Sequence, residues 1–167
     1  MTYATTPLMG VNITATTSTT PDFTVGGRAL LSDGGEAMYI KASSAIAAGD
    51  ALLISGAGAA APITTALTDA GTTTAHQYIG VAHVAIDSGS YGWACTKGIP
   101  TAGINVAASC VRGSPLYTTS TAGQLDDTSS SSHLISGIEI TATATGAAVT
   151  AGFLSNPVLV SGTVNNT

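Results

Sequence analysis

From Arg28 onward, apolar and polar residues alternate in short runs separated by turn-forming residues. Arg28–Ser32, the turn Asp33-Gly34-Gly35 and Glu36–Lys41 spell a hairpin, because Asp-Gly supplies the positive φ that a tight turn requires. Met38 and Ile40 fall on one face of its second strand, Tyr39 and Lys41 on the other. Within Ala45–Ile54, the Gly49-Asp50 turn leads into a short strand. Gly56–Ala61 is too rich in glycine, and stops too soon at Pro62, to read as a helix. Tyr78–Ile86 is the clearest strand. Ile79, Val81, His83 and Ala85 share one face; Tyr78, Gly80, Ala82, Val84 and Ile86 share the other. Both faces are largely apolar, which predicts a central position. Trp93–Lys97 is its expected hairpin partner across Asp87–Gly92. Ile104–Ala108, Pro115–Thr119, Leu134–Thr141 and Phe153–Val160 read as further strands, Asp126–Ser132 as a polar loop, and Thr64–Ala70 as a short helix candidate. Closely spaced strands with turn signals predict an all-β fold, a small barrel or sandwich, over residues 26–167.

Residues 1–25 break this pattern. Thr14-Ala15-Thr16-Thr17-Ser18-Thr19-Thr20-Pro21 has no helical period, and Pro7 and Pro21 interrupt any strand. Alone, such a segment buries too little to offset its chain entropy, so it reads as an extended arm that docks along a neighbour. The β domain carries a faint internal echo. Gly49-Asp50-Ala51-Leu52 resembles Gly113-Ser114-Pro115-Leu116. The apolar strand that follows each carries a glycine: Tyr78-Ile79-Gly80-Val81-Ala82 and Leu134-Ile135-Ser136-Gly137-Ile138. Two similar halves, about 28–105 and 106–160, are one reading; chance recurrence of turn punctuation is the other.

Composition narrows the function. Hydrophobic residues make up 44% of the 167 positions, but charged residues only 8%, far below the usual quarter. Thr, Ser, Gly and Ala take the place of charge. Hydroxyls pair across a protein interface without the desolvation cost of a bare charge, so the surface fits one covered by neighbours. A secreted β domain with a weakly charged surface is the plainer alternative. Net charge is −5, and the four basic residues, Arg28, Lys41, Lys97 and Arg112, are scattered. Neutralising phosphates takes clustered Lys and Arg, so neither nucleic acid nor an anionic membrane is an expected partner. The mean hydropathy of +0.39 comes from strand-sized stretches such as Val81–Ile86, not from the ~20 apolar residues a membrane span needs. Met1-Thr2-Tyr3-Ala4-Thr5 lacks the basic and apolar regions of a secretory signal, which predicts synthesis in a cytoplasm. There, Cys95 and Cys110 are expected as free, buried thiols. A disulfide formed later would close a loop of about 15 residues, worth roughly 3 kcal/mol.

Catalytic constellations are not apparent. There is no nucleophile elbow, phosphate-cradling loop or His-Glu-x-x-His motif, and no catalytic, cofactor or metal residue is expected. His76 and His83 lie far along the chain from His133, and a shared metal would need the fold to bring them together. Cys95 and His83 fall on adjacent strands, within reach of a nucleophilic pairing but without an orienting group. Most carboxylates sit at turns, where Asp bonds its own backbone. Asp126-Asp127 offers oxygens suited to Ca²⁺ but reads better as a solvated acidic loop.

The order Gly49-Asp50-Ala51-Leu52, a variable Gly/Ala/Thr loop, Ile79-Gly80-Val81-Ala82 and Trp93-Ala94-Cys95-Thr96-Lys97-Gly98 resembles the head decoration (cement) proteins of tailed bacteriophages, the lambda-type decoration protein among them. The likeness spans residues 45–105; residues 106–160 depart from it. The resemblance implies a small β-barrel or β-sandwich, β-tulip-like, with an extended N-terminal arm. It implies a non-enzymatic structural virion protein that forms homo-oligomers, trimers above all, on the capsid exterior. Its partner would be the major capsid protein, bound after shell expansion, and its work would be to stabilise the shell. The arm would touch the coat, with Thr5, Pro7, Leu8, Val11, Ile13 and Phe23 as candidate contact residues. Deleting residues 1–25 is then expected to spare folding and weaken attachment. In a bacterial host, the sequons Asn12-Ile13-Thr14 and Asn165-Asn166-Thr167 carry no glycan. The alternatives are another virion component (minor coat, tail-tube or fibre-base protein) or a small adhesion or carbohydrate-binding module. Sugar binding calls for aromatic platforms; aromatics make up 5% here, and the single Trp93 reads as core.

Overall fold

The computed structural model describes residues 11–17, 20–69, 77–129 and 133–160. Strands account for 43% of the described residues and helix for 3%, as the all-β reading expects. The first half begins with the predicted hairpin, β1 (Arg28–Leu30) and β2 (Glu36–Ala42), whose turn places Gly34 at φ +82°. Then come β3 (Ala51–Ile54), β4 (Ala59–Pro62), β5 (Tyr78–Ala82) and β6 (Tyr91–Gly98). A single helical turn, α1 (Thr65–Thr68), follows β4 and is capped by the Thr64 hydroxyl, which accepts from Leu67 N. Strand β2 pairs β4 in parallel and β6 antiparallel, while β4, β3, β5 and β6 pair antiparallel in turn. These five pairings close a barrel. Alternation along the strands puts Met38, Ile40, Leu52, Ile54, Ala82 and Ala94 inside it.

The second half repeats the pattern. It comprises β7 (Ile104–Val106), β8 (Leu116–Thr118), β9 (Leu125–Asp126), β10 (Leu134–Ile140), β11 (Ala148–Thr150) and β12 (Gly152–Leu159). Strand β7 pairs β9 in parallel, as β2 pairs β4: Val106 faces Leu125 where Ala42 faces Ala60. Ile104 and Asn105 face Thr150 and Val149, as Ile40 and Lys41 face Gly92 and Tyr91. Glu139 and Ile140 face Phe153 and Gly152, as Val81 and Ala82 face Cys95 and Ala94. Turn bonds recur as well. Gly113 N donates to Ile140 O as Gly49 N donates to Ala82 O, and Ala144 N to Cys110 O as Ile86 N to Ile46 O. Together β11 and β12 stand where β6 stands, interrupted at Ala151. The echo between Gly49-Asp50-Ala51-Leu52 and Gly113-Ser114-Pro115-Leu116 thus coincides with a repeated pairing scheme.

The two rings share an edge, since β12 also pairs β6, with Leu154 opposite Gly98 and Ser155 opposite Lys97. Ile104, Val106, Leu116, Leu125 and Ile140 fill the second ring. Their cluster continues onto Ala51, Ile79, Val81 and Cys95, the residues that point outward from the first ring. One barrel therefore completes the core of the other.

Several elements differ from the sequence reading. Strand β5 stops at Ala82 instead of running to Ile86; the chain leaves the sheet and returns only in a bridge between Ile86 and Ile46. Ala59–Pro62 is a strand despite lacking alternation, because β2 and β3 supply partners on both sides. Asp126 belongs to β9 rather than to a loop, and β11 is an additional strand. The helix candidate Thr64–Ala70 shortens to α1. Among the described residues, no helix is long and apolar enough to cross a membrane.

Candidate interaction surface

Register places Tyr39 opposite Trp93 on the outer face of β2 and β6. The described part of the N-terminal segment folds across them. Val11 is buried in a cluster with Ala29, Leu31, Ala37, Tyr39 and Trp93, and Ile13 and Val25 pack against it. Thr17 exchanges backbone hydrogen bonds with Tyr91, at 3.1 and 2.8 Å. The Tyr39 hydroxyl bonds the Thr17 hydroxyl and accepts from Asp22 N, each at 3.1 Å. Phe23 stands edge-on to Tyr39, with ring centroids 5.3 Å apart, and 5.4 Å from Trp93. A cavity of about 240 Å³ remains between Val11, Phe23, Ala29 and Trp93.

Of the six expected contact residues, Thr5, Pro7 and Leu8 lie outside the described residues. Val11 and Ile13 turn toward the chain's own first barrel, and Phe23 stays 43% exposed. Trp93, 3% exposed, is core as expected.

Sequence reasoning did not single out a second surface, where β1, β5 and β12 come together. Its centre is a cleft of about 420 Å³ lined by Arg28, Glu36, Tyr78, Thr96, Pro157 and Val158, among others. Leu30, Tyr78 and Val158 are 55%, 40% and 58% exposed. Arg28 pairs with Glu36 at 3.3 Å and lies 4.9 Å over the Tyr78 ring, so its charge is held within the surface. Only the exposure of large apolar side chains on three separate strands marks this region, and no spacing rule joins them.

The chemical candidates are engaged elsewhere. Cys95 and His83 lie on neighbouring segments but point to different partners. The Cys95 thiol donates to Lys97 O, and burial pushes its pKa up to about 12, too high for a nucleophile near neutrality. His83 Nδ1 bonds Thr101, and burial holds the ring down to about 4. Cys110, Asp126 and Asp127 bring one thiol and two carboxylates within 4.8 Å of one another. The thiol is pushed up to about 11 by burial and donates to Asp126 Oδ1, while Asp127 Oδ2 accepts from Val111 N. The trio is a hydrogen-bonded corner built around a protonated sulfur. Both cysteines are free and buried, as expected. His133 joins the two halves, its Nδ1 2.8 Å from the Thr68 hydroxyl and its Nε2 3.7 Å from Asp69. His76 lies outside the described residues.

Against known proteins, no family model, no curated protein and no solved structure matches this chain.

Proposed function

We propose that the chain is a non-enzymatic structural protein of a virus particle, a decoration or cement protein that binds the outside of a phage capsid and stabilises the shell. The observation that carries this reading is the apolar surface around the β1–β5–β12 cleft, where Leu30 and Val158 are more than half exposed on a chain with 8% charged residues. A surface of this kind is one that a large protein partner covers. Tyr39 and Trp93 are 2% and 3% exposed, so neither offers the flat face on which a sugar-binding module stacks its ligand. The partner on this reading is the major capsid protein, contacted through apolar and hydroxyl groups, and the trimeric state follows from the resemblance. Attachment should then depend weakly on salt.

The deciding experiment is quantitative mass spectrometry of purified particles, comparing copies of this chain with copies of the main shell protein. A near-stoichiometric ratio supports decoration. A handful of copies would move the assignment to a tail or fibre component, and absence from particles would end the virion reading.

A further inference from the structure

The chain passes from the first ring to the second through residues 99–103, and one histidine holds the middle of that passage. His83 leaves the end of β5 and is 2% exposed. Its Nδ1 accepts the Thr101 backbone N–H at 3.2 Å and lies 3.0 Å from the Thr101 hydroxyl. A backbone N–H can only donate, so Nδ1 is the bare nitrogen and the proton of the neutral ring sits on Nε2. Nε2 is itself buried and meets no hydrogen-bond partner among the described residues. An unpaired buried donor is costly, yet the ring is fixed in this orientation by its bonds to Thr101. Around it the linker is locally turned, with Gly103 N donating to Pro100 O and Gly103 at φ +88°, while Ile99 is 64% exposed.

We propose that His83 is a pH-gated latch on the linker between the two barrels: the neutral ring fastens Thr101 to the end of β5, and the protonated ring releases it. Protonation places an N–H at Nδ1, facing the N–H of Thr101. The Thr101 hydroxyl can turn to accept, but the amide cannot, so the bond that defines the latch is lost. Asp33, in the β1–β2 turn, is the charged group whose field reaches the ring, and it favours the cation. Cys95 on β6 is neutral, and residues 99–103 carry no charge. Burial outweighs Asp33 and keeps the ring neutral until about pH 4. The latch is closed at neutral pH and opens in acid, and it operates whatever the chain binds.

The test is amide hydrogen exchange on the full chain from neutral pH to about pH 3, corrected for intrinsic rates so that local opening is read. The reference is the Lys41 amide, which donates to Gly58 O inside the first barrel. Thr101 protection should fall at least about tenfold, relative to Lys41, as the ring takes its proton. His83→Gln keeps an acceptor but does not titrate, so it should flatten the profile. Asp33→Asn removes the anion and should move the release to lower pH. Thr101 protection that is level with pH in the unmodified chain, a profile that survives His83→Gln, or a release point that Asp33→Asn does not move would each overturn the latch.

Discussion

Asp50 and Gly123 touch at the seam between the barrels, so closely that a Cβ on Gly123 would overlap the Asp50 carboxyl group. Asp50 is 5% exposed; it accepts from Ala47 N at 2.8 Å and from Asn105 Nδ2 at 3.0 Å. Gly123 sits at φ +73°, donates to Ile63 O and accepts from Ala51 N. Turn geometry in one half and a buried carboxylate in the other are therefore fitted to each other.

Gly123→Ala should destabilise the chain by about 2 kcal/mol or more, since it adds both backbone strain and a clash with Asp50. Asp50→Ala should cost about 1–3 kcal/mol, by leaving Ala47 N and Asn105 Nδ2 without their acceptor. Denaturant titration followed by Trp93 fluorescence measures both. A neutral Gly123→Ala would show that the seam yields easily.

Leu52 and Leu116 hold matching positions in the two rings, and each is fully buried. Leu52→Ala and Leu116→Ala should therefore carry similar penalties, about 2–5 kcal/mol each. Calorimetry of the two variants checks this; a large loss for one and none for the other would mean that the rings share pairing but not packing.

Much of this architecture could be read from the chain, and the misses have physical causes. Asp33-Gly34 marked its hairpin because only a positive φ closes that turn. The Gly49 and Gly113 turns recurred for the same reason, at φ +85° and +74°. Strand β4 escaped because Ala59-Ala60-Ala61 has no contrast between faces. Strand β9 has two residues, too few for any period. The N-terminal segment looked like a free arm because Val11, Ile13, Phe23 and Val25 are diluted among threonines; their shared destination exists only once Tyr39 and Trp93 are side by side. The exposed cleft combines β1, β5 and β12, which no sequence window contains.

That packing changes what truncation should do. Deleting residues 1–25 uncovers Tyr39 and Trp93 and removes Val11, so stability should fall by a few kcal/mol, on the scale of ~25 cal/mol per Å² of apolar surface exposed. The expectation that folding is spared then applies only to a shorter deletion, of residues 1–10. Thermal melts of the two truncations, alongside particle binding, separate the stabilising part of the segment from any part that attaches.

Acid should weaken the fold in a defined window. His83 titrates near 6.5 in the unfolded chain and near 4 in the folded one. The unfolded state therefore binds the proton first as pH falls. This contribution is intact above about pH 6.5, is lost progressively down to about pH 4, and levels off below; its full size is about 3 kcal/mol. Urea titrations at stepped pH, compared with His83→Gln, isolate it. An identical pH slope in the variant would assign the loss to other groups.

Cys95 and Cys110 should resist a water-soluble alkylating agent in the native state, because both are fully buried and both thiols are held protonated. Mass spectrometry should find neither labelled natively and both labelled in denaturant. Rapid native labelling of Cys110 would indicate that the Asp126–Asp127 corner opens.

The interruption at Ala151 lets one run of chain serve two barrels. Before it, β11 is bonded to β7; after it, β12 is bonded to β10 on one side and to β6 on the other. Ladder bonds between antiparallel strands lie across the strand direction. Tension applied along β12 is therefore carried as shear by both ladders at once, so neither barrel can be peeled away strand by strand without loading its neighbour. The shared strand makes the pair of barrels a single mechanical element.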